Sequence, residues 1–155
     1  MLVYRIAKMK ERALDLSGKG AFLYGGRWNS EGVFMLYTST HASLAMLEVL
    51  VHADESEIPP QLFIAQIEIS EKAPIYRFPN EVLPENWREP DNLGLKKLGD
   101  QIMKERRYLG FQVLSAVLPS EFNILLNPLY PGYADLVTIM RIDQLETNPR
   151  LMSSS

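Results

Sequence analysis

The pattern that first indicates a fold begins at residue 25, ends at residue 52 and reads GGRWNSEGVFMLYTSTHASLAMLEVLVH. Its paired glycines predict a loop, because glycine permits tight turns and close approach of the backbone to other groups. Residues 33–38 form a short apolar and aromatic run, which predicts a β-strand. Residues 41–52 contain neither Gly nor Pro and predict an α-helix directly after that strand.

The segments on either side of this stretch predict further strands and helices in an irregular order. Helical spacing covers residues 94–107, and a helical turn at 11–16 is followed by a predicted loop at 17–20. Residues 73–92 hold four prolines and predict a long irregular excursion. Strands are predicted at residues 3–6, 62–69, 111–118, 123–126 and 136–142. About six strands and two or three helices in this order predict an α+β fold rather than a doubly wound sheet.

The composition predicts a single domain over residues 1–155, since 46% of the residues are hydrophobic and the length suffices for a buried core. The net charge of −3 gives no general positive field, so we expect no direct binding of nucleic acid or anionic lipid. The lack of cysteine excludes disulfides, thiolate metal sites and a cysteine nucleophile. No run approaches the roughly 18 apolar residues of a membrane span, and a signal-peptide pattern is missing. We therefore expect a cytoplasmic protein without membrane contact.

Several common sites are missing from the sequence. It contains no G-x-G-x-x-G, no Walker A lysine and no G-x-S-x-G elbow, so the usual nucleotide cradles and a hydrolase triad are not indicated. The two histidines, His41 and His52, lie eleven residues apart on one predicted helix and would point in different directions. No third ligand type clusters near them, so we expect no metal site.

Glu48 is the first candidate for chemistry. On a helical wheel it falls at the edge of an apolar stripe that includes Leu44 and Leu47. A carboxylate at such a position either reaches solvent along the edge of the helix or lies in a cleft with a hydrogen-bonding partner. The spacing alone leaves these two interpretations open.

Arg27 and Ser115 are weaker candidates. Arg27 follows two glycines, where its planar guanidinium could bind a phosphate or simply lie at the surface of a hairpin turn. Ser115 stands within the apolar run FQVLSAVL, where a serine most often hydrogen bonds to neighbouring backbone. Neither residue predicts a function by itself.

Taken together, these segments resemble the RES-domain family. The resemblance is carried by GGRWN at residues 25–29, LYTS at 36–39, LAMLEVLVH at 44–52, VLSAVLP at 113–119 and NILLNP at 123–128. It begins near VYRIA, at residues 3–7, and therefore covers most of the chain. The family is named for an Arg, a Glu and a Ser, which Arg27, Glu48 and Ser115 match here. Leu114 departs from the pattern, because the family often has proline before the serine, and we expect a local difference of the backbone there.

The resemblance implies a fold related to the ADP-ribosyltransferases, with a split β-sheet core, flanking helices and a cleft for NAD⁺. By similarity, the catalytic residues are expected to be Arg27, Glu48 and Ser115. The residues expected to bind NAD⁺ are Arg5, Arg27, Tyr37, Glu48 and Ser115. NAD⁺ would be the substrate, and no further cofactor is expected.

The resemblance also implies a toxin that depletes NAD⁺ by cleaving its nicotinamide–ribose bond, as a glycohydrolase or a phosphorylase. Its partner would be an antitoxin that carries a helix-turn-helix DNA-binding domain, and a homodimer is a further expectation. One alternative is an ADP-ribosyltransferase that modifies a protein. Another is a catalytically silent module that only binds the antitoxin.

Overall fold

The structure, a computed structural model, describes residues 1–52 and 58–151, and within these ranges it contains seven β-strands and five α-helices. The strands are β1 (Leu2–Ala7), β2 (Leu36–Ser39), β3 (Gln61–Ile69), β4 (Ile75–Arg77), β5 (Gly110–Leu114), β6 (Phe122–Leu126) and β7 (Val137–Glu146). The helices are α1 (Lys10–Leu14), α2 (Lys19–Tyr24), α3 (Ala42–His52), α4 (Leu93–Glu105) and α5 (Tyr133–Leu136).

All seven strands form one sheet in the order β4-β5-β6-β2-β1-β3-β7, and only the β4–β5 pair is parallel. The sheet is nearly divided in its middle, because β1 and β2 share the single residue pair Tyr4–Ser39. In contrast, β1 pairs with β3 along its whole length, and β2 does the same with β6. Two half-sheets, β4-β5-β6-β2 and β1-β3-β7, therefore meet at one residue pair. The predicted α+β fold with a split sheet is confirmed.

The sheet buries a separate hydrophobic core on each face, because neighbouring residues of a strand point to opposite sides. One core joins strand residues such as Val3 and Ile124 to Ala13 of α1. The other joins Leu125, which follows Ile124 on β6, to Leu95 of α4 and to Trp28 of the loop before β2. The face of this second core also carries Asn123, which alternates with Ile124, and α3 packs there.

Several predicted elements differ from the structure. The loop expected at residues 17–20 ends at Gly18, and α2 begins at Lys19 because Gly18, at φ 72°, turns the chain into a helix whose Phe22 stacks on Phe34. The strand expected at 33–38 begins only at Leu36, after a turn in which Val33 N–H donates to Ser30 O. The strand expected at 111–118 stops at Leu114, so Ser115 lies in a turn rather than inside a strand.

The other differences are elements that the sequence pattern does not reveal. The irregular excursion expected at residues 73–92 contains β4, which pairs with β5, and a 3₁₀ turn at Asn80–Val82. The four residues of α5 are too few to show a helical period. None of the helices that the structure describes is long and apolar enough to cross a membrane. The predicted domain limits of 1 and 155 stay a prediction, and residues 152–155 lie outside those described.

Candidate active site

Glu48 lies on α3 and receives hydrogen bonds from two neutral side chains. The Ser115 hydroxyl donates to Glu48 Oε1 at 2.9 Å, and Asn123 Nδ2 donates to the same oxygen at 2.8 Å. The other oxygen, Oε2, lies 3.4 Å from Nε2 of His52, one helical turn further along α3. The Glu48 side chain is 23% exposed, so it is neither a free surface group nor sealed in the core. Of the two interpretations of its wheel position, the structure favours the partly buried, hydrogen-bonded carboxylate.

These contacts keep Glu48 ionised. Burial by itself raises the pKa of Glu48, but the hydrogen bonds from His52, Asn123 and Ser115 outweigh that effect and leave the pKa below its ordinary value. The site thus holds a fixed negative charge, and no buried cation pairs with it among the residues that the structure describes.

Ser115 is fully buried and its hydroxyl is engaged in three hydrogen bonds. Besides donating to Glu48, it accepts the backbone N–H groups of Val117 and Leu118, each at 3.1 Å. These two bonds form the turn that ends β5. The geometry therefore supports a role for Ser115 in holding the Glu48 carboxylate.

Asn123, the first polar contact of Glu48 from β6, is not among the residues predicted from the sequence. Its Oδ1 accepts a hydrogen bond from the buried hydroxyl of Ser39 at 2.8 Å. Ser39 and Asn123 are paired across β2 and β6, so both side chains point to the same face of the sheet. The only signal for Asn123 in the sequence is its place at the start of NILLNP, which assigns it no role.

Tyr37 shapes the glycine loop at residues 25–29. Its hydroxyl accepts Trp28 N–H at 3.0 Å and donates to Asn29 Oδ1 at 2.7 Å. Burial raises the pKa of Tyr37, which therefore stays protonated. A Cβ on Gly26 would lie 2.5 Å from the Tyr37 hydroxyl oxygen, so glycine is needed here to let the loop pack against Tyr37.

Arg27 binds the irregular segment that follows β4. Its Nη1 donates to the carbonyl oxygens of Trp87 at 3.1 Å and of Glu89 at 3.0 Å. Arg88, between them, donates from Nε to Ala116 O in the turn beside Ser115 at 3.0 Å. Residues 79–92, here called the strap, are thus tied both to Arg27 and to the turn that holds Ser115.

Arg5 lies on β1, across from Ala65 of β3, and points to the face that carries α1. Its Nη1 donates to the carbonyl of Arg12. Burial lowers the pKa of Arg5, an effect that nearby Asp15 partly offsets. Arg5 borders the split of the sheet, because it follows Tyr4, the residue that pairs with Ser39.

The structure therefore brings some of the predicted residues together and keeps others apart. Glu48 and Ser115 are in direct contact, whereas Arg27 and Tyr37 meet at the glycine loop. Among the residues that the structure describes, no hydrogen bond or ion pair joins Arg5 to Glu48. Within the same residues there is no group of three or more His, Asp or Glu side chains that could hold a metal ion. The binding and catalytic roles expected for these residues stay predictions.

Known proteins similar to this chain match it over three quarters of its length or more. The Toxin Res of Yersinia enterocolitica is 34% identical over 152 residues, which is 97% of this chain and 99% of that protein. A Prs ADP-ribosylating toxin of a Sphingobium strain is 34% identical over 129 residues, covering 76% of this chain and 74% of that protein.

A solved structure shares the fold. A chain in the crystal structure of the MbcT–MbcA toxin–antitoxin complex of M. tuberculosis superimposes with a TM-score of 0.72 at 19% identity, covering 97% of this chain and 86% of that chain. The sequence model of the RES domain family matches residues 2–148 of this chain. With the Arg, Glu and Ser in place and this match spanning almost the whole sequence, the chain belongs to the RES domain family.

Proposed function

We propose that this chain is the toxin of a toxin–antitoxin pair and consumes NAD⁺ by cleaving the bond between nicotinamide and ribose. The observation that carries the proposal is the ionised Glu48, fixed by neutral donors at a partly exposed position in a protein of this family. Support also comes from the relatives, which are named as toxins, one of them as an ADP-ribosylating toxin.

The chemistry requires a negative charge more than it requires an acid. Nicotinamide carries a positive charge in NAD⁺ and leaves as a neutral molecule, so its departure needs no proton, while positive charge develops on the ribose. A carboxylate held beside the ribose stabilises that charge in the transition state. In our proposal Glu48 has this role. Its Oε1 is occupied by Ser115 and Asn123, so Oε2, whose neighbour His52 is exposed, would face the ribose hydroxyls and the developing cation.

The remaining predicted residues would bind the other parts of NAD⁺. Within the described residues, the hydrogen bonds of Arg27 use Nη1 alone, so Nε and Nη2 would remain for a pyrophosphate oxygen. Arg5 points to the α1 face of the sheet, away from the face of Glu48, so as the second pyrophosphate ligand it would reach NAD⁺ through the split. Tyr37 would place the nicotinamide by its ring, since its hydroxyl already binds the glycine loop.

The acceptor of the ADP-ribosyl group would be water in a glycohydrolase or phosphate in a phosphorylase. A second candidate is transfer to a protein, which is favoured by the name of the Sphingobium relative. A catalytically silent antitoxin-binding module is less well supported, because antitoxin binding alone does not require a carboxylate held ionised.

We further propose that the partner is an antitoxin that covers the active site and carries a helix-turn-helix domain for binding DNA. The support is the fold, shared with a chain of a toxin–antitoxin complex. In this proposal the protein acts in the cytoplasm, on the NAD⁺ of the cell that makes it. Size measurement with and without the coexpressed antitoxin would also show whether the toxin forms the expected homodimer.

Glu48→Gln is the first test. It keeps the size of the side chain and an oxygen to accept from Ser115 and Asn123 but removes the charge, so we expect NAD⁺ consumption to fall by about 10²-fold or more. NAD⁺ loss and its products should be followed by chromatography with water alone, with added phosphate, and with a cell extract as source of acceptor proteins. Arg27→Ala should also lower the rate, through a raised KM.

Two substitutions serve as controls for these variants. Glu68→Gln changes an exposed carboxylate on β3, and Arg107→Ala changes an exposed arginine after α4. Both should keep the wild-type rate. A folded Glu48→Gln variant that consumes NAD⁺ as fast as the wild type would refute the proposed function of Glu48. Free ADP-ribose, ADP-ribose phosphate or labelled protein as the product would identify the acceptor.

A further inference from the structure

We propose that Asn123 is a positioning residue, which holds the Glu48 carboxylate in one orientation with Oε2 turned to the substrate, and that Ser39 anchors the Asn123 amide. The proposal rests on the proposed function, because it gives Asn123 a part in the same reaction. It names two residues to which neither the sequence pattern nor the family resemblance assigns a role.

The first argument is the geometry of the Glu48 carboxylate. Two donors from different elements, Asn123 on β6 and Ser115 after β5, converge on Oε1 at 2.8 and 2.9 Å. A carboxylate bound by one donor can still rotate about that bond, whereas donors from two directions fix its plane. Because β5 and β6 are paired along their length, the two donors cannot move independently.

The second argument is the direction of the Asn123 amide. An ionised carboxylate can only accept hydrogen bonds, so Nδ2 and not Oδ1 must face Glu48. The Ser39 hydroxyl donates to Oδ1 at 2.8 Å and so anchors the end of the amide that faces away from Glu48. A flipped amide would place Oδ1 against the negatively charged Oε1 and would lose the hydrogen bond to Glu48, whereas the Ser39 hydroxyl could accept from Nδ2 instead. Ser39 is 4% exposed, so water does not readily replace it.

The third argument separates Asn123 from Ser115. The Ser115 hydroxyl also caps two backbone N–H groups, so it is needed for the turn whether or not Glu48 is present. Asn123 makes no such backbone contact, and its two side-chain hydrogen bonds run to Ser39 and to Glu48. Its side chain therefore connects the β2–β6 strand pair to the Glu48 carboxylate.

The ionisable group that faces Glu48 from its own helix is His52, and the groups that face it from β6 and from the turn after β5, Asn123 and Ser115, are uncharged. His52 is 62% exposed and can move away from Glu48. The hydrogen bond from Asn123 favours the ionised over the protonated carboxylate and, unlike the bond from Ser115, can be removed without breaking the turn.

The test compares Asn123→Ala, Asn123→Asp and Ser39→Ala with the wild type, by the pH dependence of kcat and KM for NAD⁺. Loss of a hydrogen bond to a charged group predicts a fall in kcat of about 10- to 100-fold for Asn123→Ala, with KM little changed. The acid limb of the kcat profile should move to higher pH. Asn123→Asp places a second carboxylate against Glu48 and should move the limb further. Ser39→Ala should have the same effect in smaller measure, because it acts through Asn123.

Matched controls lie on the same two strands. Asn127, just after β6, is buried and donates to Met103 O at 2.9 Å, so Asn127→Ala should lower stability but leave the acid limb in place. Thr38 donates to Ile124 O at 2.7 Å and serves as the control for Ser39. Thr38→Val should likewise lower stability but leave the acid limb in place. If the Asn123 variants lose activity only as Asn127→Ala does, with the acid limb unmoved, Asn123 is merely structural and the proposal is wrong.

A second measurement does not depend on activity. The carboxyl group of Glu48 can be titrated by carbon-13 NMR in the free protein, its signal being assigned by its loss in Glu48→Gln. We expect the Glu48 titration to move to higher pH in Asn123→Ala and still higher in Asn123→Asp. A wild type that leaves NAD⁺ intact would overturn the proposed function. The titration would then decide about Asn123, since an unshifted Glu48 would overturn the positioning role and a shifted one would support it.

Discussion

The charge of Glu48 is maintained by the hydrogen bonds from His52, Asn123 and Ser115, and this has a consequence for acid stability. The folded state holds the pKa of Glu48 below its ordinary value, chiefly because the hydrogen bonds outweigh burial. A group of this kind contributes stability above its unfolded-state pKa, about 4.3 for glutamate, and that contribution is lost as the pH falls through the lower folded-state pKa.

We therefore expect the wild type to lose more stability than Glu48→Gln when the pH is lowered from 6 to about 3, the acid side of the glutamate range. Urea unfolding of both proteins at several pH values gives their free energies of unfolding as a function of pH. The difference between the two curves reports on Glu48, because the other carboxylates contribute equally to both. Curves that stay parallel over the whole range would show that Glu48 is not stabilised in its ionised form.

At the scale of single residues, the sequence predicts the members of the site better than their contacts. Glu48 and Ser115 follow from the resemblance, and the wheel position of Glu48 indicates that it lies at the edge of the buried face. Asn123 and Ser39 could not be found in this way, because their contact depends on the register of β2 against β6, which joins residues 84 positions apart. The two hydrogen bonds of Arg27 depend likewise on a strap 60 residues away.

The glycine loop is positioned by α4. Lys96 Nζ donates to the carbonyl of Gly26, and Asp100 Oδ1 accepts Ser30 N–H at 2.9 Å. Between these two residues, Gly99 packs directly on the loop, since a Cβ there would lie 1.8 Å from the carbonyl oxygen of Trp28. This helix thus fixes the part of the chain that carries Arg27.

Gly99→Ala should destabilise the protein by about 3 kcal/mol or more, because the backbone of the loop cannot give way without moving Trp28 in the core. Gly20→Ala is the matched control, as Gly20 also lies within a helix but has nothing within 4 Å of an added Cβ. That variant should gain about 0.5–1 kcal/mol. Thermal and urea unfolding would compare the two, and a neutral Gly99→Ala would disprove the close packing of α4 on the loop.

At the scale of elements, the sequence predicts those with enough residues to show a period. The predicted helices at 41–52 and 94–107 are confirmed as α3 and α4, and the alternating strand at 62–69 is confirmed as β3. The elements that were missed, α2, α5 and β4, have three to six residues each. Their formation depends on tertiary contacts, such as the pairing of β4 with β5, that no local pattern contains.

At the scale of the whole molecule, the β-sheet consists of two half-sheets that are joined by the residue pair Tyr4–Ser39. Each half-sheet has continuous pairing within itself, so its hydrogen bonds should open together. Native-state hydrogen exchange at increasing denaturant should therefore show two groups of amides with different opening free energies, one in β1, β3 and β7 and one in β2, β5 and β6. A single group that opens only with global unfolding would argue against this division.

The strap belongs to this scale as well, since it links parts of the chain that are far apart in sequence. Its arginine contacts join the glycine loop to the turn that holds Ser115. The split sheet itself was expected from the family resemblance, whereas the position of the join at Tyr4–Ser39 follows only from the register of the folded strands.

The join also determines which part of the site can move. The two half-sheets share one residue pair, so a relative displacement of their strands would be smallest at that pair and would grow with distance from it. Ser39 is part of the join and donates a hydrogen bond to Asn123, which donates one to Glu48. The carboxylate therefore lies close to the join. Residues 5–7 of β1 and 36–38 of β2 lie beyond the join, where these two strands are not paired with each other. The sheet hydrogen bonds therefore do not hold the mouth of the split closed, whereas the charge is bonded to the join itself.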